Sequence, residues 1–201
     1  MNFRNTKYFL LVVVIASILG SQLVLRSQPP LAPRTTQAAD EQVLMELKLT
    51  IDRPASSRGG YRKPYVAIWI EDQDGYPIRT ISLWVQKSGP GPRWIPDLRQ
   101  WYKSDRLRQL VESTDLVDGI SGATRNAGSY KVAWDGLDGS GAACKPGKYT
   151  LFVESAREHG TYQLIKFPFE HGDKAFSENL PGNTEIKDLQ LNYLGTSNIK
   201  K

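Results

Sequence analysis

The chain has 201 residues, enough for one domain with its own core, and its 40% hydrophobic and 23% charged residues exclude a disordered chain. Its formal net charge of +5 and its pI of about 9.3 suggest an acidic partner such as nucleic acid or anionic lipid. Residues 1–39, however, contain four basic and no acidic residues, which leaves a charge of only +1 on residues 40–201. No nucleic-acid partner is therefore expected for the part of the chain that folds.

The N-terminal region has the pattern of an export signal. Arg4 and Lys7 precede an uncharged apolar run over residues 9–25, which predicts an apolar helix. Residues 1–25 are either a cleaved signal peptide or a membrane anchor, because a run of 17 residues is at the lower limit for a spanning helix. Either alternative makes the remainder of the chain periplasmic or otherwise extracytoplasmic, and an uncleaved segment would anchor it to the inner membrane. Residues 26–40, rich in Pro, Ser and Thr, are expected to form a linker.

The rest of the chain has the periodicity of β-strands. Apolar residues alternate with mostly polar ones from Val43 to Ile51, which predicts a half-buried strand. Six further segments are rich in strand-forming residues, with Gly, Pro and Asp turns between several of them: 65–70, 78–85, 130–134, 149–155, 162–169 and 186–193. The predicted fold is mainly β, an Ig-like antiparallel β-sandwich over residues 41–195 with a C-terminal tail at 196–201.

One helical insertion is expected near residues 96–113. Two apolar triplets share the spacing of a helix face: Leu98, Trp101 and Tyr102, then Leu107, Leu110 and Val111. Ser104 and Asp105 predict a division into two short helices. The five basic residues of this region, interleaved with aromatic ones, suggest either a solvated helix face or a surface for a phosphate and a ring: Arg93, Arg99, Lys103, Arg106 and Arg108.

The chain contains few of the cysteine and histidine residues that bind zinc or haem iron. Cys144 is the single cysteine, so an intramolecular disulfide is excluded. With only two histidines besides, no zinc, haem or other metal site is expected.

Two resemblances concern the fold and its context. Residues 128–141 (GSYKVAWDGLDGSG) and 146–153 (PGKYTLFV) resemble the Ig-like domain of flagellar hook-capping proteins, which implies a fold alone. Residues 94–102 (WIPDLRQWY), 118–125 (DGISGATR), 156–162 (AREHGTY) and 180–183 (LPGN) together resemble a family of uncharacterised predicted periplasmic proteins. In that family the domain also occurs fused to, or encoded beside, flavin transferases and PepSY membrane proteins. The resemblance therefore implies an FMN transferase as a partner and a PepSY-type membrane redox protein as another candidate.

The segment from Asp118 to Thr124 is similar to the D-x-x-(S/T)-G-A-T signature at which bacterial FMN transferases attach FMN to a threonine, with FAD as donor. By this resemblance, Thr124 provides the hydroxyl that receives FMN. Gly122 and Ala123 are small enough for the backbone to enter the transferase, and Asp118 orients the loop or contributes to the activated site. The chain would be the substrate of this reaction, and the transferase would catalyse it.

Two further residues are candidate contacts of a bound flavin. Arg125 directly follows the signature, and His159 lies at a predicted hairpin tip, where a histidine can contact the phosphate or the ring. The candidate cofactor-binding residues are Thr124, Asp118, Ser121, Gly122, Ala123, Arg125 and His159, and no catalytic residue is assigned.

Two functions remain open at this point. The first is an extracytoplasmic flavin-linked electron-transfer protein with FMN on Thr124, a redox carrier or accessory subunit rather than an independent enzyme. The alternative is a non-catalytic Ig-like module that binds a protein partner at the cell envelope.

Overall fold

A computed structural model describes residues 42–53, 61–113, 115, 117–158 and 160–198. Nine strands are present in this part of the chain: β1 Met45–Ile51, β2 Tyr65–Asp72, β3 Pro77–Trp84, β4 Ser121–Gly122, β5 Gly128–Trp134, β6 Gly147–Ala156, β7 Tyr162–His171, β8 Phe176–Leu180 and β9 Ile186–Tyr193. The helices of the same part are α1 Arg99–Glu112, α2 Val117–Ile120 and two 3₁₀ helices at Gly91–Asp97 and Thr196–Asn198.

The strands form two sheets, so the mainly β prediction is confirmed. One sheet has the order β5-β1-β9-β8, and the other has the order β4-β3-β2-β6-β7. Neighbouring strands are antiparallel except for β4, which runs parallel to β3. The inward side chains of both sheets form one apolar core, in which residues such as Leu47 and Leu49 of β1 join Val66 and Ile68 of β2. This core is the main source of stability, because it removes apolar surface from water.

The outer face of the five-stranded sheet is covered by a second layer. Strand β2 is buried on both faces, since Tyr65, Ala67 and Trp69 point away from the sheet–sheet core and pack beneath the 3₁₀ helix Gly91–Asp97 and α1. Trp101 of α1 is almost fully buried in this second cluster. A strand covered on both faces has a continuous apolar sequence, and β2 has one.

The start of α1 is fixed from outside the helix by a buried carboxylate. Glu154 of β6, which is fully buried, accepts hydrogen bonds from the backbone N–H groups of Gln100 (2.9 Å) and Trp101 (2.7 Å). The first N–H groups of a helix have no partner inside the helix, so a carboxylate at this position satisfies two of them. Its negative charge also interacts favourably with the positive end of the helix dipole. The residue at the helix N-cap, Leu98, has no side-chain acceptor of its own.

The predicted division of the insertion at Ser104 and Asp105 is wrong, because α1 is continuous from Arg99 to Glu112. Both residues are buried and engaged: Ser104 donates to Glu71, and Asp105 accepts from Arg108. The second apolar triplet is exposed, because Leu107 follows Leu98 by nine residues, which is two and a half helical turns.

The predicted export segment lies outside the described residues, and so does the linker over residues 26–40. Among residues 42–198 as far as they are described, no helix is long and apolar enough to cross a membrane.

Candidate functional site

The segment of the flavin-transfer signature lies at the edge of the five-stranded sheet. Strand β4 pairs with the end of β3, where Leu83 is opposite Ser121 and Trp84 is opposite Gly122. The N–H group of Val85 donates to the carbonyl of Gly122 over 3.0 Å. Because β4 has only two residues, the chain leaves the sheet at Ala123, which is exposed. The signature thus ends in a loop whose start is anchored by backbone hydrogen bonds.

The two hydroxyl groups of this segment differ in their surroundings. Ser121 donates its hydroxyl hydrogen to the carbonyl of Val117, one turn earlier in α2. The α2 N-terminus is capped by the Asp115 carboxylate, which accepts the Val117 N–H at 2.8 Å. Thr124 is half-buried, and its hydroxyl forms no hydrogen bond to any described part of the chain. Only the Thr124 hydroxyl is therefore available for a reaction within this segment.

Thr124 lines an open cleft of about 330 Å³ at the end of the sheet where β2 begins and β6 ends. The cleft lies within the usual size range of ligand sites. Its other lining residues are Arg62, Lys63, Tyr65, Gln86, Pro90, Gly91, Trp94, Asp97, Ala156 and Glu158.

The cleft combines charged and aromatic groups. Arg62 and Lys63 are its cationic side chains, and Arg62 forms an ion pair with Glu158. Trp94, from the 3₁₀ helix, contributes an aromatic surface and carries the guanidinium of Arg93 over its ring, 4.9 Å from the centroid. The cationic and aromatic members of this set can bind an anion and a flat ring in one place, although the carboxylates of Asp97 and Glu158 also line the cleft and balance its charge.

The wall of the cleft formed by the 3₁₀ helix is held by close backbone contacts. Tyr65 donates its hydroxyl hydrogen to the carbonyl of Gly91 at 2.9 Å, and burial raises the pKa of this phenol. Gly91 itself cannot be replaced without movement, because a Cβ there would lie 2.3 Å from the carbonyl oxygen of Gln86. The position of Trp94 in the cleft therefore depends on this turn.

The other sequence-predicted residues that the structure describes are not among the lining residues of the cleft. Asp118 lies in α2, and Gly122 lies in β4 beside Trp84. The guanidinium of Arg125 lies over the rings of Trp84 and Tyr130, at 5.5 and 5.9 Å from their centroids, and it is not among the lining residues of the cleft. His159 lies outside the described residues.

Arg62 and Lys63 are cleft residues that sequence reasoning missed. They precede β2 and are more than sixty residues away from Thr124 in the chain. The only local signal is a basic pair beside Pro64 at the start of a strand, which is common on protein surfaces. Their proximity to Thr124 arises from the pairing of β2 with β3 and of β3 with β4.

The remaining histidine, His171, and the single cysteine, Cys144, are held within the fold rather than in a candidate site. His171 is buried between the Tyr193 hydroxyl (2.7 Å) and the Cys144 carbonyl (3.1 Å), and burial lowers its pKa. Burial also raises the pKa of the Cys144 thiol to about 11, so the thiolate is scarce at neutral pH. Among the described residues, no group of three His, Cys, Asp or Glu side chains is arranged to hold a metal ion.

More than two thirds of the chain, residues 46–188, matches the model of one family, described as a predicted periplasmic protein (DUF2271). No curated protein and no solved structure matches the chain. The family match confirms the wider resemblance to predicted periplasmic proteins and supports the extracytoplasmic location that residues 1–39 indicate. The chain belongs to the DUF2271 family of predicted periplasmic proteins.

Proposed function

We propose that this protein is an extracytoplasmic electron-transfer protein that carries FMN covalently bound to Thr124. The observation that carries the proposal is the position of Thr124. This residue is the last of a flavin-transfer signature, and it lines a cleft together with two cationic and two aromatic side chains.

The attachment step requires a hydroxyl that is free to react. The Thr124 oxygen would form a bond to the phosphorus on the FMN side of the FAD pyrophosphate, the bond from that phosphorus to AMP would break, and AMP would leave. A base of the FMN transferase would take the hydroxyl proton, and a metal ion of that enzyme would polarise the phosphate. Ser121 is a poorer acceptor than Thr124, because its hydroxyl is already engaged by the Val117 carbonyl.

Access for the transferase is supported by the small residues before Thr124. Ala123 is exposed, and Gly122 lies at a sheet edge. A Cβ at position 122 would lie 3.6 Å from Trp84 and so make only an ordinary contact, which means that packing within this chain does not demand glycine there. The small residue that the signature has at this position is better explained by close approach of another protein.

The residues of the cleft fit an FMN group. Arg62 and Lys63 would hold its phosphate, and a guanidinium can do so with two hydrogen bonds, in exchange for the present ion pair of Arg62 with Glu158. Trp94 and Tyr65 would contribute aromatic surface. When bound, FMN supplies the acceptance and donation of electrons. We propose a PepSY-type membrane redox protein as a partner in that exchange, with Arg125 and His159 as further candidate flavin contacts.

The experiment is co-expression of the exported chain with an FMN transferase, followed by intact-mass measurement and visible absorption. The expected result is a yellow protein whose mass increases by one FMN less one water. Thr124→Ala is expected to abolish the increase, whereas Ser121→Ala and the exposed control Thr184→Ala are expected to retain it. A colourless, unmodified protein, under conditions that modify a known substrate of the transferase, would refute the proposal.

The same experiment decides the alternative function. A non-catalytic Ig-like module for a protein partner predicts no flavin under any of these conditions. The Ig-like assignment of the two-sheet fold is common to both functions and is likewise a proposal.

A further inference from the structure

The outward surface of α1 carries exposed apolar side chains. Leu107, Leu110 and Val111 are 45%, 82% and 66% exposed. Their i, i+3, i+4 spacing places them side by side on one face of the helix. Contiguous exposed apolar groups of this kind mark interaction surfaces more often than ordinary protein surface.

Three basic side chains precede this triplet on the same outward face. Arg99, Lys103 and Arg106 are all exposed. Lys103 lies four residues after Arg99 and four before Leu107, and Arg106 lies four before Leu110, so all of them share one face of the helix. Within the described part of the chain, neither Lys103 nor Arg106 forms an ion pair. The first half of the outward face is therefore cationic, and the second half is apolar.

The acidic residues of α1 lie on its other side. Asp105 is buried, and its carboxylate accepts from Arg108 at 2.9 Å. Glu112 binds the same guanidinium at 2.7 Å and accepts from the Tyr76 hydroxyl of the β2–β3 turn. The outward face of α1 consequently has positive charge without carboxylates of its own helix.

We infer that this face of α1 docks on the surface of an anionic lipid bilayer. Exposed basic side chains beside an exposed apolar triplet match a surface that is anionic at its headgroups and apolar just beneath them. Lys103 and Arg106 would reach lipid phosphates while the three apolar side chains enter the boundary between headgroups and acyl chains. The guanidinium of Arg99 lies over the ring of Tyr162, 4.9 Å from its centroid, and is not needed for this contact. The protein is extracytoplasmic, so a membrane surface lies within its compartment. The inference is independent of flavin on Thr124.

The test must separate docking by α1 from any tethering by residues 9–25, so the readout is local to the helix. In the full chain with Cys144→Ser, Leu110→Cys is labelled with a fluorophore that shifts to the blue in apolar surroundings. A second label at Lys174→Cys, an exposed position between β7 and β8, is the matched control. Each protein is measured with phosphatidylcholine vesicles that contain or lack phosphatidylglycerol.

The expected result is a blue shift of the label at position 110 with the anionic vesicles only, and no shift at position 174. Lys103→Gln with Arg106→Gln is expected to lower the ratio of docked to undocked protein about 25-fold, or about fivefold per charge. Lys145→Gln with Lys174→Gln removes the same charge elsewhere and is expected to leave the shift at position 110 unchanged. Salt near 1 M, where charges are screened beyond about 3 Å, is expected to reverse most of the shift.

Two outcomes would overturn the inference. One is an equal response of both labels to anionic vesicles, which would reflect tethering alone. The other is a blue shift at position 110 that appears without vesicles and grows with protein concentration, which would assign the face to contacts between copies of the protein.

Discussion

The outer faces of the two sheets differ in what covers them. On the four-stranded sheet, the outward residues of β1 are polar and open to solvent, and Glu46 binds Lys131 of β5 at 2.6 Å. On the five-stranded sheet, the outward residues of β2 are apolar and lie beneath α1 and its preceding 3₁₀ helix. The first face contributes solubility, whereas the second carries the layer that forms one wall of the Thr124 cleft.

The carboxylates on the outer faces of the two sheets also differ in their partners. Glu46 on the open face has lysine partners that also contact water. The covered face contains Glu154, which binds two backbone N–H groups, and Glu71, which accepts from the Trp69 indole at 2.8 Å and from Ser104. A hydrogen bond to a buried carboxylate requires its donor at one distance and angle, whereas apolar contact alone allows a helix to shift on the sheet. They therefore set the position of α1 on the sheet.

The largest effect is expected from Trp69→Ala on the covered face. Trp69 is fully buried, and its ring stacks on Phe152 with 4.7 Å between centroids. Its removal leaves a cavity and deprives Glu71 of a donor, so we expect the free energy of unfolding to fall by about 4 kcal/mol. Urea unfolding measures this change. Trp69→Phe retains much of the packing and should cost less, and Thr50→Ala on the open face should stay within about 0.5 kcal/mol. Similar losses for Trp69→Ala and Thr50→Ala would contradict the comparison.

The sequence predicted the parts of the fold that depend on periodicity. Alternation in β1 indicated its inward face, and Met45, Leu47, Leu49 and Ile51 are buried. Strand β8 was missed, because its sequence, FSENL, has no apolar period, and its place at the sheet edge depends on backbone pairing with β9. The continuity of α1 was missed as well, since Ser104 and Asp105 weaken a helix unless their side chains find partners. Ser104 finds a distant one in Glu71, and Asp105 finds Arg108 and Gln109 one turn later in the same helix.

The candidate site also has one part that the sequence predicted and one part that it did not. A local motif located Thr124, because seven consecutive residues carry the resemblance. No local motif located Arg62 or Lys63 beside it, and Trp94 was expected only as part of a basic and aromatic stretch. These three separate segments meet only when the five-stranded sheet is assembled. Long-range pairing is the information that a single sequence does not show.

A smaller effect is expected from the ionisation of Glu154 on the covered face. Burial raises the pKa of Glu154, although hydrogen bonds from Trp101 and Gln100 oppose this shift. An acid whose pKa is higher in the folded state than in the unfolded state stabilises the fold fully at low pH and loses that contribution as the pH rises through the folded-state pKa. Glu154→Gln cannot ionise. The stability of the natural protein relative to Glu154→Gln is therefore expected to fall with rising pH across this range, as measured by urea unfolding at each pH. A constant difference would show that Glu154 does not titrate differently on folding.

The smallest effect, with the opposite sign, is expected from Glu46 on the open face. The hydrogen bond from Lys131 holds the pKa of Glu46 below its ordinary value. Its contribution to stability is therefore present above the unfolded-state pKa and is lost as the pH falls through the folded-state pKa. The stability of the natural protein relative to Glu46→Gln should rise with pH by less than about 1 kcal/mol, because exposed ion pairs are screened by water. Salt near 1 M should abolish most of this difference but leave that of Glu154 nearly unchanged, since buried groups are screened far less. If the two carboxylates instead shared one sign of pH dependence and one response to salt, the distinction between the open and the covered face would not extend to their electrostatics.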